Sequence, residues 1–320
     1  MTDKSKGKIV FSSGKHGDYD IWHLDLESKK IKQLTHGYSL NDAPKWSPDG
    51  KTIAYISNRS GMREVWLMDD DGNNQRQLTD TEKWHSAPCW SPDGTKIAVA
   101  TAYSGNMDLW TIDVNNPENK KQITSYEGMD FQPSWAPDGT CILFTSKRSG
   151  NDDIWELDLE NNSFTQLTDY AERDYCATYS PDGQMIAYIS GNFLYDGTEN
   201  LDIWIMKRDG SAKKRITKNR GLDRYVSWSP SGSHLIYVAT PVHGTGERLH
   251  VVNLLRDTSS KVNFDRLPLE EEIDAQADKS LLWKPFRAIP DDVLQFLMKG
   301  LSDKSEKYFF GTERYPHWKH

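Results

Sequence analysis

Trp46-Ser47-Pro48-Asp49-Gly50 is a stretch that this chain repeats with small changes. It returns as Trp90-Ser91-Pro92-Asp93-Gly94 and as Trp135-Ala136-Pro137-Asp138-Gly139. Two further copies are Tyr179-Ser180-Pro181-Asp182-Gly183 and Trp228-Ser229-Pro230-Ser231-Gly232. The anchoring aromatics step by 44, 45, 44 and 49 residues. Two other columns keep this phase. Trp22, Trp66, Trp110, Trp155 and Trp204 each follow Ile, Val or Leu. Gln33-Leu34-Thr35 is echoed by Gln77-Leu78-Thr79, Gln122-Ile123-Thr124, Gln166-Leu167-Thr168 and Arg215-Ile216-Thr217. Self-similarity at a fixed period marks a repeat architecture, in which each unit buries its apolar face against its neighbours.

Each unit reads as four short strands. Pro-Asp-Gly is hairpin chemistry, since Pro presets φ at the second turn position and Gly accepts the left-handed conformation that closes the turn. Thr52-Ile53-Ala54-Tyr55-Ile56-Ser57 after it has strand composition. Glu64-Val65-Trp66-Leu67-Met68-Asp69 supplies the third strand, and Asp70-Asp71-Gly72-Asn73 turns into the Gln-Leu-Thr strand. Four strands every ~44 residues is the blade signature of a β-propeller.

Lys8-Ile9-Val10-Phe11-Ser12-Ser13 matches a second strand, so the first unit lacks its own first strand. Arg314-Tyr315-Pro316-His317-Trp318 matches Arg224-Tyr225-Val226-Ser227-Trp228 and is expected to supply it, closing the ring and removing an open sheet edge. The expected fold is all-β: one domain over 1–320, a six-bladed propeller of four-stranded blades closed by the C-terminal strand. A partly helical insertion over 269–312 interrupts it. There Pro290 opens a helix, Asp291 and Asp292 occupy its first turn, and Gly300 stops it.

These repeats resemble the TolB-like family, also called PD40 or WD40-like, over roughly residues 8–268 and 313–318. The resemblance implies a propeller, and in that family polar residues, sometimes with calcium, surround the central tunnel. Prolyl-oligopeptidase-type propellers are similar in the repeat, yet no G-x-S-x-G nucleophile elbow occurs in these 320 residues. Oligogalacturonate lyases are similar in repeat style and use clustered histidines with a metal. Here His317 and His320 stand without such a cluster.

Composition narrows the function. The net charge of −8 argues against a nucleic-acid binder, which would carry a basic stripe. No apolar run is long enough to span a bilayer. No apolar segment follows the polar start at Met1–Lys8, so the expected location is cytoplasmic, or periplasmic if the chain is a trimmed mature form. Cys89, Cys141 and Cys176 lack CxxC spacing, which points to reduced thiols. A monomer is expected.

Function is expected where the repeat breaks, because regular positions already serve folding. Tyr179 to Trp204 spans 25 residues where the equivalent step elsewhere is 20, so the hairpin Gly191–Asn200 carries five extra. The 269–312 insertion is the larger break. Chain direction puts both breaks on one side, opposite the Pro-Asp-Gly turns, at one mouth of the tunnel. Five residues before each anchor stand Asn41, His85, Asp130, Asp174, Asp223 and Glu313. A ring of carboxylates and an imidazole would hold a divalent cation, calcium or manganese, through His85, Asp130, Asp174 and Asp223, or would raise one carboxyl pKa for acid–base work. Hydrated carboxylates at a wide pore are the plainer alternative.

Beside the ring, Trp84, Tyr195 and Trp283 are candidate ligand contacts, the two Trp being outside the repeat columns. Arg59, Arg148 and His243 rank second: the Arg-Ser-Gly loops at 59 and 148 would clamp a carboxylate or phosphate, or serve inter-blade packing. The leading expectation is a binding propeller for a peptide, protein loop or small polar ligand. The alternative is a metal-assisted lyase, isomerase or hydrolase working under the 269–312 lid.

Overall fold

A computed structural model describes residues 8–13, 19–25, 28, 30–193, 199–218, 221–241, 248–254 and 308–309. They form strands and turns with no helix among them. The first sheet holds β1 (Lys8–Ser13), β2 (Asp20–Asp25) and β3 (Lys30–Gln33); the second β4 (Asn41–Trp46), β5 (Thr52–Ser57), β6 (Glu64–Asp69) and β7 (Arg76–Gln77). The third holds β8 (Cys89–Trp90), β9 (Lys96–Thr101), β10 (Asp108–Asp113) and β11 (Lys120–Gln122). The fourth holds β12 (Asp130–Trp135), β13 (Cys141–Ser146), β14 (Asp153–Asp158) and β15 (Ser163–Gln166). β16 (Arg173–Tyr179), β17 (Met185–Phe193), β18 (Glu199–Lys207), β19 (Lys214–Arg215), β20 (Gly221–Trp228), β21 (His234–Pro241) and β22 (Arg248–Asn253) share the fifth. β23 (Tyr308–Phe309) pairs antiparallel with β1.

Two expectations change. The spacing predicts six four-stranded blades, and the described residues make five sheets, the last of them seven-stranded. The cause is the lengthened hairpin. β17 and β18 run nine residues each, and β18 lies parallel to β20 through Leu201 and Leu222, so two repeat units join. The strand on the outer side of β1 is Tyr308–Phe309, a pair assigned from sequence to the end of the insertion. The predicted closing strand 314–318 and the helix at 290–300 lie outside the described residues.

Apolar residues run almost unbroken along the second strand of each unit, as in Ile53–Ile56, and successive ones enter the layers on opposite faces of the sheet. Ile21 and Leu34 of the first unit pack with Ile53, Tyr55 and Met68 of the second. Ala98, Ala100 and Leu109 of the third pack with Ile142, Phe144 and Leu157 of the fourth. Fully burying one such side chain contributes about 1.5–3 kcal/mol, so the inter-sheet layers hold the ring. Indoles add directed ties: Trp90 Nε1 donates to the Lys45 carbonyl and Trp228 Nε1 to the Thr178 carbonyl, each at 3.1 Å.

The first strand of a unit carries a bulge just after the predicted ring position. Ala43, Gln132, Cys176 and Tyr225 take positive φ of 51°, 56°, 56° and 59°, and the ladder shifts register around each. A bulge bends the strand and re-aims its side chains. The Gln132 side chain bridges two units, its Oε1 accepting from the Cys176 amide at 3.0 Å. Asp69–Gly72 is a turn, as expected, with Gly72 at φ 90° and the Asn73 amide donating to Asp71 Oδ1 at 2.9 Å.

Candidate functional site

An acidic residue stands two positions before the Trp of the third strand in each of five units: Asp20, Glu64, Asp108, Asp153 and Asp202, all 5% exposed or less. The Thr of the Gln-Leu-Thr column answers it. Thr35, Thr79, Thr124, Thr168 and Thr217 each accept, at 2.8–2.9 Å, from the amide following the acid. In the first two units the hydroxyl donates to the acid itself, Thr35 to Asp20 at 2.7 Å and Thr79 to Glu64. Gln33, Gln122 and Gln166, and Arg215 in the fifth repeat, clasp the same carboxylates from the side. This lock explains the column; the in-phase acids two positions before the Trp were its sequence signal.

The described ring residues, Asn41, His85, Asp130, Asp174 and Asp223, are buried. Asn41 Nδ2 donates to Asp20 Oδ1 at 3.1 Å. His85 Nε2 lies 3.0 Å from Glu64 Oε2 and 2.9 Å from the Thr81 hydroxyl. Burial pushes the Glu64 carboxyl up, but the hydrogen bonds from His85, Thr79 and the Thr81 amide overcome it and hold it at about 2. Asp130 is also buried, which raises its pKa against the pull of Ser146 and Arg148.

The Arg-Ser-Gly loops do not present free clamps. Arg59 lies 4.6 Å from the Trp66 ring and 5.7 Å from the Tyr55 ring, and Nη2 donates to Asn41 Oδ1 at 3.0 Å. Arg148 sits against Phe164, Phe144, Trp155 and Tyr126 at 4.4–5.4 Å, and Nη2 donates to Asp130 Oδ2 at 2.8 Å. In the third sheet Tyr103 takes the same place, edge-on to His85 at 5.5 Å and to Trp110 at 5.0 Å. Trp84 packs on Arg63, 5.6 Å away, which itself grips Asp42 with two bonds of 3.0 and 3.1 Å.

His85, Asp130, Asp174 and Asp223, expected to share a divalent cation, are not gathered into one cluster. Among the described residues no three His, Cys, Asp or Glu side chains come together to hold a metal. His85 and Asp130 are each engaged by a partner from their own or the neighbouring unit, so these donors do not fit the ion. Asp223 is buried on β20. Tyr195, His243, Trp283 and Glu313 lie outside the described residues.

Asp174 differs from the rest. It is fully buried, and neither carboxylate oxygen has a well-formed hydrogen bond. Burial raises its pKa to about 6; the nearby Ser190 and Thr168 hydroxyls offset this in part, and Asp153 and Glu172 add to it. Around it stand the Tyr188 hydroxyl, buried and also without a partner, and Asp153 of the neighbouring lock. Trp204 lies 6.3 Å from the Tyr188 ring and 6.4 Å from Tyr170, which is 47% exposed. Sequence reasoning named Asp174 but missed Tyr188, Tyr170 and Trp204; the missing Arg in this unit's loop was the available signal. A cleft of about 380 Å³ lies between Thr168–Asp169 and Asp209–Lys213.

Loops on this side are tied together. The Asn58 amide donates to the Leu40 carbonyl at 3.2 Å, and Asn151 Nδ2 donates to the Glu172 carbonyl at 2.6 Å. Sheets built from one repeating unit, packed face to face through apolar layers and carrying a buried polar residue five positions before the anchor aromatic of each described first strand, define a β-propeller. Residues 5–86 and 74–194, more than half of the chain, match the TolB β-propeller domain family (PD40), and the chain belongs to it.

No curated protein matches the chain in sequence. Among solved structures, TolB from Acinetobacter baumannii is similar with a TM-score of 0.68 and 25% identity, over 77% of this chain and 61% of that one. The chain thus spans less than two thirds of that protein's length. A putative TolB from Agrobacterium tumefaciens has a TM-score of 0.51 at 20% identity, over 78% of this chain and 100% of that one. An oligogalacturonate lyase in complex with manganese has a TM-score of 0.57 at 16% identity, over 82% and 77%. No helix of the described residues is long and apolar enough to cross a membrane.

Proposed function

We propose that this protein is a binding propeller that recognises a peptide, a protein loop or a small polar ligand on the side carrying the fourth-to-first strand connections. In this reading the ring has six repeat units, with the fifth and sixth in the seven-stranded sheet. One observation carries it. The side chains suited to chemistry are engaged by the fold, His85 with Glu64 and Asp130 with Arg148, while the loops beside them expose Tyr38 at 98%, Met62 at 44% and Tyr170 at 47%. Exposed aromatic and Met side chains next to polar groups suit recognition.

An array of random peptides tests this. Wild-type protein is expected to retain a related set of sequences, and a Tyr38→Ser/Met62→Ser/Tyr170→Ser variant to lose them at least tenfold. Equal retention by the variant would overturn the assignment to this side.

The second reading, an enzyme, has one observation in its favour: a buried carboxyl held at about 6 is suited to proton transfer near neutral pH. Oligogalacturonate with manganese is the substrate to try first, with formation of the unsaturated product followed by ultraviolet absorbance. No product above the background of an Asp174→Asn variant would remove this reading for that substrate.

A further inference from the structure

Three units show what belongs in the space between a ring residue and its aromatic strands. In the second sheet the occupant is the Arg59 guanidinium, held by Tyr55, Trp66 and Asn41. In the fourth it is the Arg148 guanidinium, held by Phe144, Trp155, Tyr126 and Asp130. In the third it is the Tyr103 ring, with Lys120 Nζ 5.1 Å above it. Each occupant lies two residues beyond the Ser or Thr that ends the second strand: Ser57, Thr101 and Ser146.

The fifth repeat has the same walls. Tyr188 stands where Tyr55 and Phe144 stand, Trp204 where Trp66 and Trp155 stand, Tyr170 where Tyr126 stands, and Asp174 where Asn41 and Asp130 stand. Two residues past Ser190 comes Asn192, in the part of β17 lengthened by the five-residue insertion. No arginine is supplied from within the chain at that position. Correspondingly, neither oxygen of Asp174 makes a well-formed hydrogen bond, the Ser190 and Thr168 hydroxyls being its only near donors among the described residues, and the Tyr188 hydroxyl is buried without a partner. Leaving such groups unpaired is costly, and a guanidinium satisfies a carboxylate bidentately while stacking on aromatic rings.

We propose that the slot formed by Asp174, Tyr188, Trp204 and Tyr170 binds a guanidinium group from outside the chain, supplying in trans what Arg59 and Arg148 supply in cis. The group enters past Tyr170, the exposed wall, and its far side meets Asp153 of the neighbouring lock. Lys213 bounds the slot on the outside: its Nζ donates to the Gly210 carbonyl at 2.8 Å and lies 5.7 Å from the Tyr170 ring. That cation favours the planar, weakly hydrated guanidinium over a second compact ammonium at the same site. The shared chemistry fits an arginine side chain of a bound peptide or a small guanidinium compound. This rests on the binding reading above and specifies the group it recognises.

The test is an NMR titration of the whole chain at pH 7.5 with N-acetylarginine amide, N-acetyllysine amide and N-acetylcitrulline amide. Saturable shifts are expected with the arginine compound, at least tenfold weaker with the lysine and citrulline compounds. Asp174→Asn is expected to weaken binding at least tenfold, and Asn192→Arg, which restores the internal occupant, to block it while raising the melting temperature. Asn192→Arg keeps the test decisive if Asp174→Asn folds poorly. The proposal is overturned if the arginine compound gives no saturable shift up to about 50 mM, well above a millimolar Kd. It is equally overturned if citrulline binds as well, or if Asn192→Arg binds unchanged. Random peptides retained by the mouth loops while N-acetylarginine amide fails would remove the slot and leave the binding reading standing. Retained peptides rich in arginine, lost in Asn192→Arg, identify a peptide as the source; binding of the free compound without such enrichment identifies a small molecule.

Discussion

Arg148 Nη2 donates to the fully buried Asp130 Oδ2 at 2.8 Å, while Asp174, at the same repeat position one unit later, has Asn192 where that arginine stands in sequence. The first half of this contrast sets a stability prediction. Arg148→Ala leaves a buried carboxylate without its counter-charge and empties a four-ring cage, which costs roughly 3–5 kcal/mol. Adding Asp130→Asn removes the stranded charge and recovers part of the loss. Urea unfolding of the two single variants and the double variant measures the coupling, and strict additivity would refute it.

The threonine locks offer a cleaner perturbation, because Thr→Val keeps the shape and removes only the hydroxyl. Thr168→Val strips the partner from the Ile154 amide, buried at 2.9 Å, and is expected to cost about 1–3 kcal/mol. Thr35→Val does the same to the Ile21 amide in the first sheet. The two share no partner, so their costs add to within about 0.5 kcal/mol in denaturant melts.

Local chemistry explains why strands and turns were legible and pairings were not. Thr52–Ser57 and Glu64–Asp69 appear where β-branched composition and Pro-Asp-Gly put them. Turn residues and apolar runs act within a few positions, so periodicity reveals them. The joining of two units through Leu201 and Leu222 depends on how far a lengthened hairpin reaches, which no single repeat encodes. The ring residues were legible as a column, but their partners were not. Whether Asp130 serves as a metal ligand or an arginine acceptor is decided by Arg148, 18 residues away and folded back over aromatic rings. Asp174 shows the converse, since the information lay in Asn192 standing where arginine had set the pattern.

Glu64 makes the protein sensitive to acid in a defined window. Its carboxyl is held at about 2 in the fold against an ordinary 4.5, so its contribution is fully present above about 4.5 and is lost as pH falls through 2. The stability difference between wild type and Glu64→Gln is expected to be flat from neutral pH to about 5, then to shrink by roughly 3 kcal/mol toward pH 2. Urea midpoints across pH check this. A difference that stays constant between pH 7 and 3 contradicts it.

Asp174 gives the opposite sign. Its pKa is raised from 3.8 to about 6, chiefly by burial, with Asp153 and Glu172 adding to the rise and the Ser190 and Thr168 hydroxyls opposing it. A raised carboxyl favours the folded state when protonated; that advantage is complete below 3.8 and disappears as pH rises through 6. Ionised Asp174 at pH 7.5 therefore burdens the fold by on the order of 3 kcal/mol, an upper figure for a site that relaxes or takes up a cation. Asp174→Asn carries no such charge. Its melting temperature is expected to exceed that of wild type at pH 7.5, and the two to converge below about pH 4. Saturating N-acetylarginine amide is expected to narrow the gap at pH 7.5 by stabilising wild type alone, because a ligand bound only to the folded state adds its binding free energy to stability. A variant less stable than wild type at pH 7.5 would mean that the Asp174 carboxylate already has a counter-charge within the chain.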